Sequence, residues 1–167
     1  MEITYSITKN NICIGQEVVT IDKSQVPYVV ITRDLQTNAE SKKESSCTSS
    51  EYLADLTIDK GSKKIKFNNN VFLTDSGKIF TSAHKLFYLP HLYYDADFFE
   101  KNKIFNKLTT FYIDSSENVR FHDVRYFWPN DDKIWIFGPE RVKITFSEKG
   151  FMKEYADYEK NIRKVII

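Results

Sequence analysis

FMKEYADYEKNIRKV, residues 151–165, decides how the chain is classed. Phe151, Tyr155, Tyr158 and Ile162 fall at i, i+4, i+7 and i+11, along one face of a helix. Lys153, Glu154, Asp157, Lys160 and Arg163 take the opposite, wet side. The spacing predicts a C-terminal amphipathic helix.

Upstream of it the pattern changes to a period of two. Residues 109–114, 118–127, 133–137 and 141–147 read as strands. Ser115-Ser116-Glu117, Pro129-Asn130-Asp131-Asp132 and Gly138-Pro139-Glu140 separate them as turns. The middle of the chain predicts two helices. One covers 82–90 and is stopped by Pro90. A longer one covers 95–108, with Asp95 as its N-cap and Phe98, Phe99, Ile104, Phe105 and Leu108 at helical spacings. Residues 63–68, 70–74 and 78–81 are strand-like, and 51–58 fits either a short helix or a strand.

At the start, Ile3, Tyr5 and Ile7 alternate with polar neighbours. Residues 2–8, 12–21 and 26–33 predict a three-stranded meander. Gly15 is a candidate bulge, and Pro27 marks a strand start or an edge. Residues 34–50 (DLQTNAESKKESSCTSS) offer little to bury and are expected to be a mobile polar loop. The order of elements predicts an α+β fold: mainly antiparallel sheet built from hairpins, one or two mid-chain helices and the C-terminal amphipathic helix.

The 167 residues are close to the size of one domain, so 1–167 is taken as a single unit. Apolar residues make up 41% and charged residues 28%, as in ordinary globular proteins. The net charge of +1 excludes a nucleic-acid binder of the basic-tail kind. No apolar run reaches membrane-spanning length. The first residues carry no basic segment followed by an apolar stretch, so a cytoplasmic location is expected. Cys13 and Cys47 are therefore read as free thiols. Lys63, Lys64, Lys66, Lys78 and Lys85 make the middle of the chain mildly basic, as on a solvated sheet edge.

No sequence motif for catalysis or a cofactor stands out. No G-x-S-x-G and no glycine-rich phosphate loop occurs. His84 and His91 are seven apart with Pro90 between them, which matches no zinc spacing, so no metal and no cofactor are expected. In His122-Asp123 the two side chains leave opposite faces of a strand, so Asp123 is poorly placed to orient His122. Val119–Phe127 interleaves aromatic and basic residues, but neither face is a clean stacking platform for bases.

Of the aromatic residues, 15 lie between Phe87 and Phe137, more than alternating strands and one helical face can hide. Tyr93, Tyr94, Asp95 and Asp97, together with Trp128, Asp131 and Asp132, combine aromatic and acidic groups. They are the expected partner-binding residues.

In length, in its glycine-poor hairpins and in surface candidates such as Tyr93, Asp95, Asp97, Trp128, Asp131 and Asp132, the chain resembles the immunity proteins of bacterial polymorphic and contact-dependent toxin systems. The resemblance implies a cytosolic, non-enzymatic protein that neutralises a single protein partner. Two alternatives stand beside it. One is a small metal-independent ribonuclease using His91 or His122. The other is a β domain that binds RNA or a small ligand.

Overall fold

The structure is a computed structural model. It describes residues 1–49, 53–60, 63–68, 71–74, 77, 79–81, 86–97, 106–113, 116, 118–130, 133–137 and 141–167. Among these, fourteen strands form one antiparallel sheet. They are β1 (Glu2–Lys9), β2 (Ile12–Asp22), β3 (Val29–Thr37), β4 (Ser41–Thr48), β5 (Leu53–Lys60), β6 (Lys63–Asn68), β7 (Val71–Thr74), β8 (Ile79–Thr81), β9 (Asn106–Ile113), β10 (Val119–Asn130), β11 (Lys133–Phe137), β12 (Arg141–Phe146), β13 (Met152–Asp157) and β14 (Ile162–Ile166). A single-turn helix, α1 (Leu89–Leu92), lies between β8 and β9.

Each strand pairs with its neighbour in sequence, except that β8 and β9 do not pair, and β1 also pairs with β14. The sheet therefore runs β8 to β1, then β14 to β9. Residues 86 and 87 bridge β5 to β9, the last strand of the other end. The Leu53 N–H donates to the Leu86 carbonyl at 2.7 Å, and the Phe87 N–H donates to the Thr109 carbonyl at 3.1 Å. These bonds join β5 to β9 and close a barrel. The β6–β7 hairpin continues past the closure and lies over the outside of β9. Phe72 packs edge-on against Phe111, ring centroids 4.8 Å apart, and Phe67 lies 6.1 Å from Phe111.

From the closure the chain turns inward. Leu86, Phe87, Tyr88, Leu89, His91, Leu92, Tyr93, Tyr94, Asp95 and Ala96 are all buried. This segment plugs the barrel, and most of the apolar core packs around it. A second cluster, including Leu56, Ile58, Phe67, Phe72 and Phe111, fills the space beneath the overlapping hairpin.

The α+β expectation is overturned. Residues 151–165 form β13 and β14, not a helix. The turn between them is held by the Asp157 carboxylate, which accepts the Glu159 and Lys160 N–H groups, and by Asn161 in the left-handed region (φ 52°). Asp157, Glu159 and Lys160, which the helical reading of 151–165 includes, are a turn signal. Tyr155 faces the core at 7% exposure while Tyr158, three residues on, is 50% exposed, so the two do not share a face.

Pro90 does not stop a helix. It occupies the first turn of α1, where its missing N–H costs nothing. Residues 82–85 and 98–105 lie outside the described residues. Of the longer expected helix, Asn106 to Leu108 belong to β9.

The expected mobile loop at 34–50 is ordered through Ser49: residues 34–37 end β3 and residues 41–48 are β4. Glu44, Ser46 and Thr48 point inward and are buried. The stretch offers little apolar surface because the barrel interior it faces is polar. The meander β1–β3 forms as expected, with Pro27 just before β3. The pairing of β1 with β2 slips by one residue, from Ile7 opposite Gly15 to Thr8 opposite Cys13. A Cβ on Gly15 would sit 2.1 Å from the Gln36 carbonyl oxygen, so only glycine permits this approach of β3.

Candidate functional site

Two arrangements stand out. One is inside the barrel and one is on its outer wall.

Inside, four strands each place a charged group on their inward face, beside apolar residues in β2, β3 and β14 and beside hydroxyls in β4. Glu17 shares a face with Val19 and Ile21, and Arg33 with Ile31 and Leu35. Glu44 shares a face with Ser46 and Thr48, and Lys164 with Ile162 and Ile166. Arg33 lies directly opposite Glu44 in the β3–β4 ladder, and Tyr5 opposite Glu17 in β1–β2. The Arg33 guanidinium bridges the two carboxylates, with Nε on Glu17 and Nη1 on Glu44 at 3.1 Å. Lys164 Nζ reaches Glu17 at 2.8 Å, and Lys42 pairs with Glu44.

The plug meets this network every third residue. Tyr88 Oη donates to Glu44 at 2.8 Å, and Tyr94 Oη donates to Glu17 at 2.5 Å. His91 bonds Ser46 through Nδ1 and holds Nε2 3.3 Å from Glu44. Residues 88, 91 and 94 thus lie on one side of the helical turn.

Electrostatics follows from burial. Desolvation alone would push the Glu17 carboxyl up. The charges of Lys164 and Arg33, with hydrogen bonds from Lys164 and Tyr94, overcome it and lower it to about 2. Burial drives His91 well below its ordinary value, and Arg33 and Lys42 add to the effect, so its ring is neutral. Burial pushes Tyr88 up to about 12. The network therefore carries Arg33, Lys42 and Lys164 against Glu17 and Glu44. Its carboxylates and His91 are fully buried, and the network seats the plug and ties β2, β3, β4 and β14 together.

The structure places the expected site residues in two groups. Tyr93, Tyr94 and Asp95 are buried parts of the plug, so this cluster does not form an outward aromatic surface. Asp97 is exposed. Lys23 Nζ holds Asp95 at 2.9 Å and Asp97 at 2.6 Å, and the Ala96 N–H donates to the Gly150 carbonyl at 2.9 Å. These contacts tie down the plug where it leaves the barrel. Trp128 lies on β10 with its side chain outside the description, and Asp131 and Asp132 lie outside the described residues.

His91 is fully buried and cannot touch a substrate in solvent. His122 stacks on Tyr112, rings 4.7 Å apart. Asp123 points to the other face and pairs with Lys107 at 2.6 Å. Among the described residues no three His, Cys, Asp or Glu side chains are grouped to hold a metal ion. No described helix is long and apolar enough to cross a membrane.

On the outer wall, the odd-numbered residues of β10–β12 form a second arrangement that the sequence reading missed. Phe127 is 46% exposed and lies opposite Trp135. Phe137 is 41% exposed and lies opposite Arg125 and Arg141. Trp135 stacks against Phe137 at 6.4 Å and against Tyr158 at 5.6 Å. The Arg141 guanidinium sits 5.9 Å from the Trp135 ring centroid, and Lys143 pairs with Trp135 in the ladder. The outer face of β1–β4 differs: it presents Thr4, Ser6, Gln16, Thr20, Thr32 and Ser45 beside Val18 and Val30, with no aromatic residue on that face. The signal was present in the alternation of Arg125, Phe127, Trp135, Phe137, Arg141 and Lys143. Reading it required knowing which face the barrel closes upon.

Architecture and interior together define a β-barrel-like protein whose lumen is filled by its own chain. The fold matches that of a solved protein titled a beta-barrel-like protein of a domain of unknown function, DUF1849, from Brucella abortus. The two chains share 10% identity with a TM-score of 0.56, over 99% of this chain and 94% of that one. No family model and no curated protein matches the sequence.

Proposed function

We propose that the protein is a non-enzymatic binding protein that docks one protein partner through the outer face of β10–β12. The observation that carries this reading is the ladder of Phe127, Phe137 and Tyr158, each 41–50% exposed and gathered around Trp135, on a barrel whose β1–β4 wall has no aromatic residue on its outer face. Apolar patches of this kind, rimmed by polar groups, are what interfaces are built from. Arg125, Arg141 and Lys143 border the rings, so the complementary partner surface is acidic and apolar. A protein fits better than single-stranded nucleic acid. A stacked base needs a free ring face, and Trp135 is already flanked by Arg141, Phe137 and Tyr158. The resemblance to toxin-immunity proteins supplies the narrower form of the proposal, in which the partner is a toxin domain and docking neutralises it.

The test is site-specific photo-crosslinking in the source cell. A crosslinker at Phe137 should capture one acidic protein that a crosslinker at Thr32, on the β1–β4 wall, does not. With that partner purified, the double variant Phe127→Ala, Phe137→Ala should keep the fold and weaken the complex at least tenfold. Equal capture from both walls, capture of RNA, or unchanged affinity in the double variant would each sink the reading.

A further inference from the structure

Beside the aromatic ladder the outer wall carries a concavity, where β12, β13, β14 and β1 run side by side. Lys143 lies opposite Ala156, Ala156 opposite Arg163, and Arg163 opposite Thr8. A methyl group thus sits between two long cationic side chains, and the wall dips there. The dip is the floor of a cleft of ≈ 650 Å³, rimmed by the β1–β2 and β13–β14 turns. The two turns are joined by the Asn10 N–H, which donates to the Asn161 carbonyl at 3.0 Å. The volume falls within the range of small-molecule sites.

The chemistry of the rim is specific. Asn10, Asn11 and Asn161 have left-handed backbone (φ 50°, 65° and 52°), and all three line the cleft. Glycine serves such turns at least as well, and a turn asparagine commonly bonds nearby backbone. Here none of the three carboxamides has a hydrogen-bond partner among the described residues. Each offers the cleft both donors and an acceptor. Tyr158, half-exposed and stacked on Trp135, adds an aromatic ring. Arg163 is paired with Glu154 at 2.5 Å, whereas the half-buried Lys143 has no ion pair among the described residues. Asp157 also lines the cleft, but its carboxylate is engaged by the Glu159 and Lys160 N–H groups.

We infer that this cleft binds a saccharide unit that carries a carboxylate, such as a uronic acid. Sugar hydroxyls each donate and accept, which matches the carboxamides. The C–H face of the sugar ring rests on the electron-rich face of Tyr158. The carboxylate meets the Lys143 ammonium above Ala156. A neutral sugar loses that ion pair, and a simple carboxylate loses the carboxamides and the ring. The cleft borders the proposed docking face and shares Lys143 and Tyr158 with it, but Asn10, Asn11 and Asn161 lie outside that face.

Binding to an array of neutral and uronic-acid oligosaccharides, followed by isothermal titration with the glycan retained best, tests the inference. Retention should be confined to the carboxylate-bearing glycans, and glutarate should not compete. Lys143→Met keeps the apolar stem of the side chain and should weaken binding at least tenfold. The double variant Asn11→Gly, Asn161→Gly keeps both left-handed turns and removes two carboxamides. It should also weaken binding at least tenfold with the urea midpoint unchanged, whereas asparagines that serve only the turns would leave binding intact. If the double variant does not fold, Lys143→Met and the glycan series decide. No glycan retained, equal retention of neutral glycans, competition by glutarate, or full affinity in either folded variant overturns the inference. The Phe127→Ala, Phe137→Ala variant should bind the glycan like wild type, so failure of the docking proposal leaves this one standing.

Discussion

Replacing Glu17 with Gln probes the interior network most directly. The change keeps the size of the side chain and removes its charge. Arg33 and Lys164 then lose a carboxylate that each contacts, and one of the two oxygens that accept from Arg33, Lys164 and Tyr94 becomes an NH2 donor. The magnitude follows from the carboxyl's displacement from 4.5 to about 2. At about 1.4 kcal/mol per pH unit, Glu17 ionisation favours the folded state by about 3 kcal/mol. This lies at the lower end of the roughly 3–5 kcal/mol seen when one partner of a buried ion pair is removed. Because the folded value is the lower one, this stabilisation is complete above pH 4.5 and disappears as pH falls through about 2. Urea unfolding followed by near-ultraviolet circular dichroism should therefore show a deficit of about 3 kcal/mol at pH 7. The difference between the two proteins should shrink steadily as pH drops below 4.5. A deficit below about 1 kcal/mol at pH 7, the scale of an exposed pair, or a deficit that does not change with pH, would refute the reasoning.

Other expectations follow from neighbouring features. His91 is held neutral, so below its ordinary value of 6.5 the unfolded chain takes up a proton that the folded chain refuses. Wild-type stability should fall there toward a slope of about 1.4 kcal/mol per pH unit. His91→Gln should lose that slope in chemical denaturation between pH 7 and the acid range. Gly15→Ala would drive a methyl group into the β3 backbone and should cost about 1–3 kcal/mol, read from the urea midpoint. Phe67 is fully buried between the overlapping hairpin and β9, and Phe67→Ala should cost about 3–5 kcal/mol. Amide exchange in that variant should rise first in β6 and β7, because this hairpin packs on the barrel wall from outside.

Much of the sheet was legible because strands announce themselves by local alternation. β1, β2, β6, β7 and the run from β10 to β12 all follow from period-two patterns bounded by Asn, Asp, Ser and Gly turns. The C-terminal hairpin was misread because Phe151, Tyr155, Tyr158 and Ile162 satisfy a helical period by coincidence. Only the pairing of β14 with β1 shows that Ile162, Lys164 and Ile166 face a core. The polar stretch at 41–48 was misread for a related reason. Its Glu44 and Ser46 have partners from β3 and the plug that no local reading supplies.

The sequence by itself determined one domain's worth of chain, a predominance of antiparallel hairpins and the absence of a recognisable catalytic motif, because these depend on composition and on neighbours a few residues apart. Tertiary structure alone decided that the sheet closes on itself, that Leu86 to Ala96 fills the lumen and that Tyr93 and Tyr94 are core. It also decided which aromatic wall faces out. Those outcomes turn on which distant strands meet, and a buried charge such as Glu17 becomes tolerable only once Arg33, Lys164 and Tyr94 arrive from elsewhere in the chain.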